Sequence, residues 1–143
     1  MHIEKPAEVT PELVEALGRL IPQLNPTLPL PGHERMDRLL RDPAVTLVVA
    51  RDGGRIVGTA TVIVYTTPFW IKARLDEVVV DRDARGKGVG EAIVRHCLEL
   101  GRRKGAQVAE LQSGRGEVRA AAHRLYERIG FHVRDSDIFR ITL

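Results

Sequence analysis

The sequence predicts an α/β fold: a mixed sheet with helices on both faces, in the order β-α-α-β-β-β-α-β-α-β-β. Three observations point there. Apolar residues recur at helical spacing in four separate stretches. Between them lie β-branched runs of period two, broken by glycine turns. In the second half a strand passes straight into a helix through "VVVDRDARGKGVGEA", Val78 to Ala92, and another strand follows. Such a strand–helix–strand crossover is parallel and right-handed, whereas the hairpins around it are antiparallel.

Taken in order, "HIEK" is a short first strand. "TPELVEALGRLIPQL" is an amphipathic helix, with Thr10 as N-cap and Pro11 in the first helical position. Its apolar stripe is Leu13, Ala16, Leu17, Leu20 and Leu24, and Pro22 is expected to end or bend it. "NPTLPLPG", residues 25 to 32, is a stiff connector. A second helix runs from about Gly32 to Arg41, with Met36, Leu39 and Leu40 on one face. "TLVVARDGGRIVGTATVIVYT" makes two strands around the hairpin turn Asp52-Gly53-Gly54. "ARLDEVVVD" is the next strand, and the glycine turn then opens a helix from about Gly88 to Lys104. Val89, Ile93, Cys97 and Leu100 form its stripe. "AQVAELQS" is a strand, and "VRAAAHRLYERIG" a helix capped by Gly130. "FHVRD" and "IFRITL" read as two closing strands.

The 143 residues suit one domain, residues 1–143, without repeat or low-complexity tract. With 43% hydrophobic and 29% charged residues the chain is neither disordered nor membrane-embedded. No apolar run approaches the about 18 residues that a bilayer span needs. The net charge of +3 suits a small polyanion as well as nucleic acid. The helices lack a concentrated basic stripe, so no nucleic-acid partner is expected. The single cysteine, Cys97, excludes an intrachain disulfide. "MHIEKPAEVTPE" lacks a basic-then-apolar leader pattern, which makes the cytoplasm the expected location. The histidines show no metal-ligand spacing, so no metal is expected.

The glycine turn is the chief chemical signal. A strand that runs into a helix N-terminus leaves backbone N–H groups pointing outward, and the helix dipole makes the place attractive to anions. Glycines permit positive φ and let a phosphate approach the backbone. The string is not a P-loop, and reading from Gly86 as G-x-G-x-x-G fails at the last position. What stands is Arg85-x-x-Gly88-x-Gly90.

This pattern resembles the acyl-CoA signature R/Q-x-x-G-x-G/A of the GNAT superfamily of N-acetyltransferases, and the order of elements matches as well. The resemblance is strongest from about Leu75 to Phe131. It implies that the fold is the GNAT acyl-CoA N-acyltransferase fold and that the co-substrate is acetyl-CoA. It implies that Arg85, Gly86, Lys87, Gly88, Val89, Gly90 and Glu91 cradle the CoA pyrophosphate. It further implies that the strand before them splays from its parallel neighbour and pairs with the pantetheine arm along Val78, Val79 and Val80.

"AAHRLYERIGF" resembles the family's second signature and puts Tyr126 on its tyrosine, beside the CoA sulfur as the acid for the leaving thiolate. A phenol of pKa about 10 can protonate a thiolate whose conjugate acid has pKa about 8.5. From the helix alone, Tyr126 reads first as a helix-face tyrosine packing into the core. Arg119 stands where the family often has asparagine.

Amine acylation also needs a proton acceptor. Acidic residues are depleted from strands, so Glu77 and then Asp76, within "LDEVVV", are the candidates. Strict alternation puts Leu75, Glu77 and Val79 on one face and Asp76, Val78 and Val80 on the other. Either carboxylate could instead pair with Arg74 or Lys72. The glutamate of histone-acetylating relatives falls on Arg74, so their base does not carry over.

The expected activity is transfer of an acetyl group to a primary amine of a small metabolite, such as an amino sugar or an amino-acid-like compound, by direct attack in a ternary complex. Protein or peptide amines are an alternative acceptor, and a non-catalytic acyl-CoA sensor an alternative function. Pro68, Phe69 and Trp70 either pack a loop onto the sheet or line the acceptor site. Edge strands and the closing hairpin could support a homodimer.

Overall fold

In the computed structural model, which describes residues 1–143, the chain divides into two compact units, Met1–Gln112 and Ser113–Leu143. The first holds a five-stranded sheet in the order β1-β2-β3-β4-β5. These strands are β1 (His2–Glu4), β2 (Val45–Asp52), β3 (Arg55–Thr66), β4 (Ile71–Val80) and β5 (Val108–Leu111). Neighbours are antiparallel except β4 and β5, which pair in parallel. That one parallel step is the crossover, and helix α3 (Val89–Arg103) makes the connection.

Helix α1 (Pro11–Leu24) starts as its sequence dictates. The Leu13 amide donates to Thr10 Oγ1 at 3.1 Å, and Pro11 gives up no hydrogen bond in the first turn. Pro22 does not end the helix, which continues to Leu24. Only two residues follow it, and the Asn25 amide closes the last turn on the Ile21 carbonyl at 3.0 Å. Helix α2 (His33–Arg41) is polar apart from buried Met36 and the half-buried Leu39 and Leu40. Both helices pack on one sheet face, where Leu13, Leu17, Leu20 and Met36 meet Leu47, Val49, Ile56 and Val79.

Helix α3 covers the opposite face. Val89, Ile93, Val94 and Cys97 are buried along it. Its seat is unusually close at Gly58, where a Cβ would stand 2.7 Å from Ile93 Cδ1. At Gly101 a Cβ would meet Ala73 Cβ at 2.9 Å. Glycine occupies both points because a side chain would push the helix off the sheet. The β2–β3 turn is Gly53-Gly54, both at positive φ (59° and 82°), the requirement of a type I′ hairpin.

Two register shifts change which side chains face which helix. One lies in β2–β3 at Ala50/Arg51, the other in β3–β4, where Thr61 opposes Asp76 and Thr59 opposes Val79. The bulged residue in β4 is Glu77, at φ 47°, the one non-glycine residue with positive φ. Strict alternation is thereby corrected. Ala73 and Leu75 face α3, and Val79, after the bulge, faces α1 and α2.

The second unit contains a 3-10 turn at Glu117–Arg119 and helix α4 (Ala120–Ile129). Gly130, at φ 120°, ends α4, and its amide donates to the carbonyls of Tyr126 and Glu127. The two closing strands expected from "FHVRD" and "IFRITL" are absent, and the order ends at α4. Residues 131–143 carry no strand ladder, and Val133, Phe139 (93% exposed) and Ile141 stand in solvent. Alternating apolar residues make a strand only where a neighbour accepts their backbone and covers their side chains. No helix is long and apolar enough to cross a membrane.

Candidate functional site

The site begins where β4 ends. Asp81 closes the strand, its amide donating to the Val57 carbonyl at 2.7 Å. Its carboxylate accepts from the Asp83 amide and so caps a 3-10 turn at Arg82–Ala84. Arg85 is extended, and its Nε donates back to the Val80 carbonyl at 3.1 Å. Gly86 (φ 76°) and Gly88 (φ 80°) are both left-handed, and a Cβ at either would meet open space. Conformation, not crowding, therefore demands glycine there: an L-residue pays about 1–2 kcal/mol to adopt this geometry.

Gly88 is the N-cap of α3 and supplies no side-chain cap. The first helical bond runs from the Ala92 amide to the Gly88 carbonyl at 3.0 Å, so the Val89 and Gly90 amides precede the ladder. Gly90 lies inside the helix without positive φ, so no backbone requirement explains it. Val89 turns its side chain into the core and leaves only its backbone to a ligand. Lys87 is exposed, and Glu91 pairs with Arg95 at 2.9 Å.

Beside the turn, the sheet opens. The β4–β5 ladder covers only Lys72–Leu75 opposite Val108–Leu111. From Asp76 to Val80 the β4 edge on that side has no strand beside it, as the expected splay requires. Val79 is buried among apolar neighbours, so it presents backbone alone, and Val78 and Val80 are half-buried.

The two carboxylates differ. Asp76 is held by Arg74, whose Nε donates to both of its oxygens at 3.1 and 3.3 Å. Glu77 has no such pair. The residue is exposed at the strand edge, yet partial desolvation of its carboxyl and the Asp76 charge push it above the ordinary range, and Arg74 opposes them. Glu77 sits on the strained bulge, on the opened stretch of strand, and backbone strain of this kind concentrates at functional sites.

Tyr126 lies on α4 in the second unit. Its ring meets Phe131 edge-on, centroids 5.9 Å apart at 69°. Burial raises its phenol above the ordinary value, partly offset by Arg119, so the group carries its proton at neutral pH. Cys97 is buried on α3 and its thiol is pushed up to about 12, which denies it a nucleophile's role.

Phe69 (84% exposed) and Trp70 do not pack the β3–β4 loop onto the sheet. They stand before Ile71, at the opposite end of β4 from the glycine turn. Seven residues from Trp70 to Glu77 span about 23 Å, so they do not line the ground beside the bulge. Sequence reasoning missed Arg19 and Gln23, which reach from α1 to Asp81. The only signal was a carboxylate at the end of an apolar strand run.

A family model described as the acetyltransferase (GNAT) family matches residues 13–131. A glucosamine 6-phosphate N-acetyltransferase of Trypanosoma brucei brucei is 31% identical over 85 residues, 57% of this chain and 54% of that protein. The chain spans about half or less of the length of the curated relatives it matches. A provisionally assigned acetyltransferase of Agrobacterium tumefaciens str. C58 superposes with TM-score 0.82 at 27% identity, covering 100% of both chains. An aminoglycoside acetyltransferase from an uncultured soil metagenomic sample, solved with sisomicin, gives TM-score 0.83 at 21% identity over 99% of this chain and 95% of its own.

Proposed function

Because the chain belongs to the acetyltransferase (GNAT) family, we propose that it is an N-acetyltransferase that moves an acetyl group from acetyl-CoA to a primary amine of a small metabolite. The observation that carries this reading is the junction itself. A strand opens along Asp76–Val80 and passes through two left-handed glycines into an uncapped helix N-terminus. Such a turn suits a diphosphate, which wants several converging N–H donors, and the opened edge suits an extended amide-bearing arm.

When bound, acetyl-CoA supplies an acyl thioester that is already reactive toward an amine. The protein's share is then mainly positioning. Amides of the Gly86–Glu91 turn hold the phosphates, and backbone near Val79 and Val80 orients the acyl carbonyl and stabilises charge on its oxygen. Glu77, directly or through water, takes the proton of the attacking amine. Its raised pKa makes it a better base than an ordinary carboxylate. Tyr126 keeps a proton to return to the departing thiolate. The acceptor is read as an amino sugar or an amino-acid-like amine, and the similarity to the glucosamine 6-phosphate enzyme supports the former.

Calorimetric titration with acetyl-CoA, followed by thiol release across glucosamine 6-phosphate, an aminoglycoside, free amino acids and a lysine peptide, tests the whole reading. Binding with turnover on a small amine is expected. Binding without turnover on any amine would make the chain a sensor, and turnover on the peptide alone would reassign the acceptor. Gly88→Glu places a carboxylate in the cradle and should abolish acetyl-CoA binding while unfolding stays cooperative.

A further inference from the structure

Asp81 is the residue on which β4, the glycine turn and α1 converge. Its side chain is only 6% exposed. Arg19, on α1, ion-pairs with it through Nη1 and donates Nη2 to the Ile56 carbonyl at 2.8 Å. Arg19 thereby holds the end of β4 and the start of β3 together. Gln23, one helical turn further along α1, donates to Asp81 at 3.4 Å and accepts from the Arg82 amide at 2.8 Å. The second bond lies on the main chain of the 3-10 turn that leads into Gly86 and Gly88. Arg55 adds a charge at 3.7 Å. Burial alone would raise the Asp81 pKa. The Asp83 amide, Gln23, Arg19 and Arg55 together outweigh burial and hold it below the ordinary range. These partners thus favour the charged carboxylate and with it the clamp.

None of these side chains belongs to the Gly86–Glu91 cradle. They act on what precedes it. Three anchored points (Asp81 carboxylate, Asp81 amide, Arg82 amide) fix where the main chain enters the turn, and two of them are held by one face of α1. Two left-handed glycines in open space have little of their own to hold their course, so the entry geometry is what the rest of the molecule can impose.

We infer that Arg19, Gln23 and Asp81 are positioning residues that set the donor turn from α1, so that the placement of α1 and the affinity for acetyl-CoA are linked. This rests on the reading of the turn as the CoA phosphate site. Linkage is reciprocal: whatever α1 contributes to donor binding, donor binding returns to α1.

The test compares the parent chain with Asp81→Asn, Gln23→Met and a control, Val48→Ala, which creates a cavity in β2 away from the network. Asparagine can still cap the 3-10 turn but cannot pair with Arg19. Gln23→Met, at a half-buried position, removes its bonds to Asp81 and to the Arg82 amide, together with one to the Arg19 carbonyl within α1, with little threat to folding. Both network variants should raise the acetyl-CoA KM by roughly tenfold with kcat within about threefold. Val48→Ala should lower the thermal midpoint and leave KM alone. In the parent, acetyl-CoA should slow amide exchange in α1 from Arg19 to Leu24, and in Gln23→Met that protection should vanish. A parent-like KM in both network variants, or α1 exchange indifferent to acetyl-CoA, overturns the inference while the turn reading stands, provided that Gly88→Glu abolishes binding. Binding that survives Gly88→Glu overturns the turn reading and this inference with it.

Discussion

Replacing Gly58 with alanine tests whether the close seat of α3 governs stability and the donor turn together. The new Cβ would stand 2.7 Å from Ile93 Cδ1, 3.2 Å from the Val79 carbonyl oxygen and 3.4 Å from Val89 Cγ1. Carbon pairs settle at about 3.5–4.0 Å, so the helix or the Ile93 side chain must yield by about 1 Å. Ile93 is fully buried and Val89 nearly so, which leaves the displaced methyl nowhere to go. Overpacking of this kind costs roughly 1–3 kcal/mol, and for a chain of this size the thermal midpoint falls by roughly 3–10 °C. Ile93→Val removes the clashing carbon and by itself should cost about 0.5–1.5 kcal/mol. Urea and thermal unfolding of the two single variants and the double should therefore show non-additivity. The double variant should fall short of the summed cost by about 1 kcal/mol, with the Val79 carbonyl contact keeping the rescue partial. Because Val89 directly follows Gly88, Gly58→Ala should also weaken acetyl-CoA binding. Strict additivity, or a Gly58→Ala protein as stable as the parent, would refute the reasoning.

Tyr126→Phe should lower kcat by about 10²-fold with little change in the acetyl-CoA dissociation constant, and an unchanged steady-state rate would remove its acid role. If Glu77 is the base it must be ionised to act, and its pKa is raised, so kcat/KM should fall with decreasing pH through a value above the ordinary 4.5. Glu77→Gln should erase that acidic limb, and an identical pH profile would move the base elsewhere. The folded-state pKa of Asp81 lies below its unfolded value near 3.8. Its contribution to stability is therefore complete above that pH and is lost as pH falls through the folded value, and Asp81→Asn should flatten this acid part of the unfolding curve. Cys97, buried with its thiol at about 12, should react with a disulfide reagent only as fast as the protein opens; rapid labelling of the native protein would contradict its burial.

The parts legible in the sequence were those fixed by local chemistry. Thr10 and Pro11 announce α1, Gly53-Gly54 announces its hairpin, and Gly86 and Gly88 announce the left-handed turn before α3, because each residue type answers a demand of its own backbone. What stayed hidden depends on distant partners. Alternation in residues 131–143 showed a potential strand face but not whether anything would pair with it. Pro22 was read by its ring, whereas the Asn25 cap and the nearness of the helix end decided the outcome. The bulge at Glu77 left no trace, since glutamate is not a residue that favours positive φ. The sequence puts Glu77 ahead of Asp76 as base but leaves open which of them pairs with Arg74, and the fold gives Arg74 to Asp76. Arg19 looked like any surface cation of an amphipathic helix, and only the tertiary fold brings it to a carboxylate 62 positions away.

The extra residue at Glu77 makes β4 a strand read in two frames. Odd-numbered residues up to Leu75 belong to the α3 layer, and odd-numbered residues after the bulge belong to the α1 layer. Excise one residue there and the frames merge: Val79 and Asp81 would swing toward α3, and Arg19 would be left facing the wrong side of the strand. The spacing between the Glu77 bulge and the glycine turn is thus insensitive to many substitutions but not to a change of length by one. Variation along this stretch should accumulate as replacements, and insertions or deletions of single residues should be excluded from it.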